Sequence, residues 1–242
     1  DHVDRHGRTA ICPADAGPVA LAAGLLNHLQ SRHDLDTARV DDVILGCVAP
    51  VGEQGSCIAK AAVQFAGWDW SVAGVQLDRF CASGLEAVNM AAAKVVAGWE
   101  DLIVAGGVES MSRVPMGSNG GPMFSDPEFV LQEMSVPQGI GADLIATLDS
   151  YTREDVDAYA VESQHRATRA RDSGWFDRSV CPVEDENGML ILERDDFIKP
   201  NTDMAVLGSL QASFEQIGAM GFDAMALSRY PQVSKIHHVH TP

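Results

Sequence analysis

The chain has 242 residues, of which 46% are hydrophobic and 21% are charged, and its formal net charge is −17 at pH 7. These values are ordinary for a globular protein, and the length allows one large domain or a core with an insertion. Such an acidic chain is unsuited to a broad nucleic-acid surface, although a local basic cluster could still bind a small anion. No apolar run reaches the length of a membrane-spanning helix, and the charged first residues are unlike a secretory signal. We therefore expect neither nucleic-acid binding nor membrane insertion.

Alternating apolar patterns in the first half predict an α/β fold. Helical spacing begins after Pro18, and short apolar runs bounded by polar or glycine residues indicate strands. Strands that alternate with helices favour a parallel sheet. The predicted elements are a helix over 18–32, a strand over 41–48, a helix over 56–66, a strand over 72–77, a helix over 82–97 and a strand over 102–105, which ends at a pair of glycines.

The pattern changes after Pro115. Residues 115–137 show no clear periodicity and predict a loop. A helix is expected from Thr152, because Thr152 and Asp155 have the spacing of a capping box. The Asn-Gly pair at 187–188 lies between two apolar runs and predicts a hairpin.

The cysteines are odd in number and have no CxxC spacing, which disfavours a disulfide framework or a zinc site. The sequence therefore predicts no bound metal and a reducing, cytoplasmic location. The five cysteines are Cys12, Cys47, Cys57, Cys81 and Cys181.

Cys81 differs from the other cysteines because a predicted strand runs directly into it and a helix follows it. The positive end of a helix dipole and its unpaired N–H groups stabilise a thiolate, which is the reactive form of cysteine. Residues 82–84 are small and leave space for a thioester to approach. The following helix is apolar nearly all round, which predicts a buried helix with Cys81 at the base of a pocket. The alternative is a buried structural cysteine, as most free cysteines are.

Two motifs resemble the nucleophile region of the thiolase family. They are Asp-Arg-Phe-Cys-Ala-Ser-Gly at 78–84 and Gly-Gly-Val-Glu-Ser-Met-Ser-Arg-Val-Pro at 106–115, and residues 42–48 and 54–55 fit the preceding segments. The resemblance implies an α/β fold: a thiolase-like layered core half, with a mixed sheet and a buried helix, plus an inserted α+β loop domain. The expected boundaries are 1–117 for the core, 118–236 for the loop domain that covers coenzyme A, and 237–242 for the return to the core.

The resemblance also implies a function. Acetyl-CoA acetyltransferases and the 3-ketoacyl-CoA thiolases of fatty acid metabolism carry an acyl group on this cysteine and pass it to CoA or acetyl-CoA. It implies Cys81 as the nucleophile, with acyl-CoA and CoA as substrates and no permanently bound cofactor. Met134, Arg166 and Lys199 are the expected CoA-binding residues. The alternative for Arg166 and nearby arginines is a solvated helix face paired with acidic residues.

The resemblance implies that this chain's own site is incomplete. The family's Asn-Glu-Ala-Phe, Gly-His-Pro and late Cys-x-Gly motifs do not occur in the 242 residues, and they supply the activating histidine and part of the oxyanion hole. A second functional hypothesis is therefore a half-thiolase that acts as a CoA-binding or subunit-interaction module. Such a chain would also expose a wide apolar face, and homo-oligomerisation is one way to cover it.

Three further features depart from the family or resemble other sites. Asp78 stands where the family more often has Asn, and a nearby carboxylate would oppose thiolate formation. Residues 1–17 are too polar for the family's first strand, although 7–10 echo its turn. His237, His238 and His240 superficially resemble a metal site, but we expect a strand that places His238 and His240 on one face.

Overall fold

The computed structural model describes residues 16–185 and 187–242. Contacts between Cα atoms divide it into two compact units. The first comprises residues up to Asn119 together with Cys181–Asp195, and the second comprises Gly120–Val180 together with Asp196–Pro242. The predictions for residues 7–10 and for Cys12 lie outside the described residues.

The first unit contains the predicted three strands as one parallel sheet in the order β2-β1-β3. Asp42 on β1 is aligned with Ala73 on β2 and with Ile103 on β3. The α/β class is confirmed, and the part of the core sheet that the structure describes is parallel. The elements are α1 Pro18–His33, β1 Asp42–Gly46, α2 Ile58–Phe65, β2 Ala73–Leu77, α3 Ser83–Val96 and β3 Ile103–Gly107, with 3₁₀ turns at Thr37–Arg39 and Gly52–Gln54.

Helices cover both faces of this sheet. All five residues of β1 are buried, as expected for the central strand of a parallel sheet. Val43 and Leu45 belong to one apolar cluster with α1 and α2, whereas Ile44 packs against α3 on the opposite face. This alternation follows from the two-residue period of a strand.

The prediction that α3 is a buried helix is wrong. Its buried residues are Ser83, Ala87 and Ala91, which lie on the side that packs against the sheet. Small residues occupy this contact side, whereas the bulky apolar residues point away from the sheet. The outward side chains are 43–88% exposed and comprise Leu85, Val88, Val95 and Val96. We call these four residues the outer face of α3.

The second unit is mainly helical. The prediction of a loop over 115–137 is wrong in part, because a helix starts at Pro127. The Asp126 side chain caps this helix and accepts hydrogen bonds from the N–H groups of Glu128 and Phe129. The capping box at Thr152 is confirmed. The elements are α4 Pro122–Ser125, α5 Pro127–Glu133, α6 Gln138–Asp149, α7 Arg153–Asp172, α8 Met204–Gly208, α9 Glu215–Ile217, a π-helical turn Gly218–Phe222 and α10 Asp223–Arg229.

The predicted hairpin is confirmed as the antiparallel pair β4 Val183–Glu184 and β5 Leu190–Leu192. Gly188 has φ of 77°, a conformation that favours glycine. The hairpin groups with the first unit, although it lies within the 118–236 segment assigned to the loop domain. Among the helices of the described ranges, none combines the length and the apolar character needed to cross a membrane.

Candidate active site

Cys81 lies in the short turn between β2 and α3, at the carboxyl edge of the sheet. The preceding residue, Phe80, has a left-handed backbone with φ of 49°. Cys81 itself is exposed, so the prediction that it lies at the base of a pocket does not hold within the described chain. The pocket prediction was wrong because it assumed that α3 is buried on all sides, whereas the outer face of α3 is exposed.

Hydrogen bonds from flanking side chains fix this turn. The Asp78 carboxylate accepts a hydrogen bond of 2.8 Å from the N–H of Phe80. The Ser83 hydroxyl accepts one of 2.8 Å from the N–H of Arg79 and donates one of 2.6 Å to the carbonyl oxygen of Phe80. The turn that carries Cys81 is thus held on both sides. The expectation that Asp78 opposes a thiolate stays a prediction, and the structure shows that its carboxylate also helps to hold the turn.

Glycine lets the start of α3 approach the sheet closely. A Cβ atom added to Gly46 would lie 2.4 Å from the carbonyl carbon of Ser83, a separation that folded proteins do not tolerate. Gly107 and Gly84 also lie near one another, since a Cβ on Gly107 would be 3.7 Å from the Cα of Gly84. The small residues at 83–84 therefore bring α3 against β1 and β3, and this contact sets where Cys81 emerges.

Cys47 follows β1 and provides a contrast with Cys81. It is 1% exposed, and the amide nitrogen of Gln54 lies 3.5 Å from its sulfur. Burial, with the nearby carboxylates of Glu109 and Asp78, raises the pKa of the Cys47 thiol to about 11. Cys47 is therefore an unreactive thiol at neutral pH. Of these two cysteines at adjacent strand ends, only Cys81 is open to a substrate.

A buried polar network joins the ends of β1 and β3, and the sequence alone does not predict it. The Gln54 amide donates to the Glu109 carboxylate at 2.6 Å and accepts from the N–H of Ser110 at 2.6 Å. The Glu109 carboxylate also accepts a bond of 2.8 Å from the N–H of Val48. Gln54 is fully buried, so these bonds satisfy its polar atoms. The only sequence feature that points to Gln54 and Glu109 is that each lies within a segment that resembles thiolases.

The three residues expected to bind CoA lie in the second unit. Met134 ends α5 with φ of 52° and is half-buried. Arg166 on α7 is exposed and forms an ion pair of 2.6 Å with Glu162 one turn earlier. The Lys199 N–H donates to the side chain of Gln164 on α7 at 2.8 Å. The pairing of Arg166 with Glu162 is what the solvated-face alternative expects.

Comparison with known proteins decides the family. The family model described as "Thiolase, N-terminal domain" matches residues 5–222. The chain belongs to the thiolase family. This thiolase chain is 36% identical over 220 residues to a 3-oxoadipyl-CoA/3-oxo-5,6-dehydrosuberyl-CoA thiolase of Escherichia coli, which covers 83% of the chain and 55% of that protein.

Two further relatives give the same picture. Identity is 34% over 229 residues to a peroxisomal 3-ketoacyl-CoA thiolase 5 of Arabidopsis thaliana, covering 88% of the chain and 50% of the relative. Identity is 32% over 199 residues to a 3-ketoacyl-CoA thiolase of Aliivibrio fischeri, covering 81% of the chain and 51% of the relative. The thiolase chain thus spans about half the length of the curated relatives it matches.

A second cluster of titratable groups lies in the second unit, where a strand was expected from the three histidines. The described residues 237–242 form no regular strand, so that expectation is wrong. His238 and His240 nevertheless point to the same group, since both contact the buried carboxylate of Asp143 at 2.8 and 2.7 Å. The other ring nitrogen of His238 lies 3.0 Å from Asp223. Asp143 is distant in sequence, which is why the sequence did not reveal this partner.

Hydrogen bonding sets the ionisation of this cluster. Burial acts to raise the pKa of Asp143, but hydrogen bonds from Val239, His240 and His238 outweigh it, and the pKa of Asp143 is lowered. Burial acts to lower the pKa of His238, but Asp143 and Asp223 outweigh it, and the pKa of His238 is raised. Both ring nitrogens donate only in the protonated imidazole. The geometry therefore favours a charged His238 between two carboxylates.

Proposed function

We propose that this chain provides the nucleophile of a thiolase-type acyltransferase, with Cys81 as the residue that accepts the acyl group. The observation that carries the proposal is the position of Cys81: an exposed thiol on a turn between a parallel strand and a helix, in a chain of the thiolase family. Cys47 lacks both exposure and a favourable pKa for the same task.

The chemistry proceeds through an acyl-thioester on Cys81. In the degradative direction the thiolate attacks the C3 carbonyl of a 3-ketoacyl-CoA, the C2–C3 bond breaks, and C2 takes up a proton as acetyl-CoA leaves. A CoA thiolate then attacks the thioester, a new acyl-CoA forms, and the Cys81 thiolate is released. In the reverse direction, deprotonated acetyl-CoA attacks the thioester through its α-carbon. The relatives' names, which include 3-ketoacyl-CoA thiolase, favour the degradative direction.

Arg166 and Lys199 are proposed to contact the phosphates of CoA, and Met134 its apolar portion. Arg166 is 68% exposed at its side chain despite the pair with Glu162, and an exposed pair of this kind contributes little to stability. An arriving phosphate can therefore compete for the guanidinium with small loss. A cytoplasmic location and homo-oligomerisation remain predictions of the sequence.

Acylation of Cys81 tests the proposal directly. The purified chain is incubated with acetoacetyl-CoA or acetyl-CoA, and adducts are located by intact mass and peptide mapping. We expect one acyl group on Cys81, which free CoA removes, and no adduct in Cys81→Ala. Cys47→Ala is the matched control and should acylate like the unaltered chain. A folded chain that forms no adduct at any substrate concentration contradicts acyl acceptance by Cys81 in this chain alone.

The second candidate is a CoA-binding or subunit-interaction module without turnover. The outer face of α3 favours it, because Leu85 is 66% and Val96 88% exposed, and contiguous apolar surface of this kind usually contacts a partner. CoA binding by calorimetry without acylation of Cys81 would support this candidate instead. Acylation that reverses with CoA would exclude it as a complete account.

A further inference from the structure

The hydroxyl of Ser83 lies at the centre of the turn that presents Cys81. Ser83 is 3% exposed, and both hydrogen-bonding roles of its hydroxyl are used within the turn. It accepts from the N–H of Arg79 and donates to the carbonyl oxygen of Phe80. These two backbone groups belong to the two residues directly before Cys81. The two bonds fix the orientation of the hydroxyl and its distance from the backbone of Arg79 and Phe80.

Phe80 needs such support because its backbone is left-handed, with φ of 49°. A residue with a side chain seldom adopts this conformation unless the surroundings impose it. Without the bond to its carbonyl oxygen, the backbone at Phe80 gains freedom to relax. The next residue is Cys81, so a relaxation at Phe80 changes where the sulfur points.

Ser83 is a firm anchor for this purpose. Its backbone is seated against Gly46, where even one added carbon atom would overlap it. Contact with the sheet therefore fixes the position of Ser83, and the backbone of the turn adopts the conformation that reaches its hydroxyl. The Asp78 carboxylate holds the other side through the N–H of Phe80.

We propose that Ser83 is a positioning residue for the Cys81 nucleophile. This inference rests on the proposed function of Cys81 as acyl acceptor. Ser83 does not contact the substrate; its hydroxyl holds the left-handed turn so that the sulfur lies in line with an incoming acyl carbonyl. Attack on a carbonyl is directional, and a displacement of the nucleophile by about 1 Å can reduce the rate by up to about 100-fold.

The test compares two reactions of the same thiol in Ser83→Ala. Both reactions use the thiolate. Acylation by acetoacetyl-CoA also needs a sulfur aligned with the carbonyl, whereas alkylation by the small reagent iodoacetamide needs only an exposed sulfur. We expect the maximal rate of Cys81 acylation to fall at least about tenfold with little change in the half-saturating concentration. The alkylation rate should stay within about threefold. Ser83→Thr keeps the hydroxyl and should recover most of the acylation rate.

A second pair of variants guards against misfolding of the buried serine variant. Asp78 is exposed, so its substitution disturbs no core packing. Asp78→Asn retains an oxygen that accepts from Phe80 and should acylate nearly as fast as the unaltered chain. Asp78→Ala removes the acceptor and should acylate more slowly, while circular dichroism confirms the fold of both.

The outcomes separate this inference from the function on which it rests. An unaltered chain that is never acylated overturns both. If it is acylated and Ser83→Ala and Asp78→Ala are acylated at the same rate, the function stands and the positioning role is wrong. Equal losses of acylation and alkylation would also overturn it, because they indicate a general loss of thiol reactivity. A loss confined to acylation, with recovery in Ser83→Thr or Asp78→Asn, supports it.

Discussion

Two irregular segments of the molecule are fixed in opposite ways. In the first unit, the Cys81 turn is held by backbone hydrogen bonds to Ser83 and Asp78 and by close packing on Gly46. In the second unit, the segment 236–240 is held by ionisable groups, with His238 between Asp143 and Asp223. The first arrangement depends mainly on shape, and the second depends on charge. We therefore expect them to respond differently to substitution and to pH.

The largest effect is expected from Asp143→Asn. Asp143 is fully buried, and one of its oxygens accepts from the N–H groups of both Val239 and His240. The amide keeps the shape but leaves His238 without its buried counter-charge. Removal of one partner from a buried charge pair typically costs about 4 kcal/mol of unfolding free energy, measured here by urea denaturation.

Asp149→Asn is the matched control, because Asp149 is exposed at the end of the same helix, α6. Its unfolding free energy should stay within about 0.5 kcal/mol of that of the unaltered chain. Equal stabilities of Asp143→Asn and Asp149→Asn would show that the charge of Asp143 contributes nothing to the second unit.

Gly46→Ala should produce the next largest effect, through shape alone. The added carbon would meet the backbone of Ser83, which cannot rotate away as a side chain can. Overpacking of this kind costs about 3 kcal/mol. Because α3 must shift, acylation of Cys81 should also fall. Both quantities are measured on the same preparation, by urea denaturation and by mass spectrometry.

Gly24→Ala is the control for this substitution. Gly24 lies within α1, and an added carbon there would contact nothing within 4 Å. Alanine should stabilise the chain by roughly 0.5–1 kcal/mol, since glycine is the weaker helix former. A Gly46→Ala chain as stable as Gly24→Ala would refute the close approach of α3 to the sheet.

The sequence predicted the elements of the first unit well because their signals are local. Periodicity located α1 and α2. In the second unit, the equally local capping pattern at Thr152 located the start of α7. The same local reasoning failed for α5, where short helices between prolines resemble loops. It also failed for the burial of α3, since apolar content cannot show which side of a helix contacts the sheet.

The candidate site was predictable only in part. Cys81 could be found from its motif and its place after a strand. The support from Ser83 could not, because it depends on the left-handed conformation of Phe80. The link from Asp143 to His238 was equally hidden, since the two residues are 95 positions apart. Contacts that join distant parts of the chain leave no pattern within either segment.

The smallest expected effect is the pH dependence that His238 gives to stability. Because its folded pKa is raised above the ordinary value of 6.5, its contribution is complete below about pH 6.5 and is lost as the pH rises through the folded pKa. The lowered pKa of Asp143 affects stability at acidic pH. Its contribution is complete above its ordinary value of 3.8 and is lost as the pH falls through the folded pKa. The network therefore stabilises the chain most between about pH 4 and 6.5.

The measurement is the difference in urea midpoint between the unaltered chain and His238→Gln at several pH values. Four groups face one another in this network, namely Asp143, Asp223, His238 and His240. The difference should be largest near pH 5.5 and should shrink toward alkaline pH, as His238 loses its proton. His28→Gln, at an exposed position of α1, should give a small difference at every pH. A difference for His238→Gln that stays constant from pH 5.5 to alkaline pH would mean that the ring acts by its shape, so that both segments depend on packing.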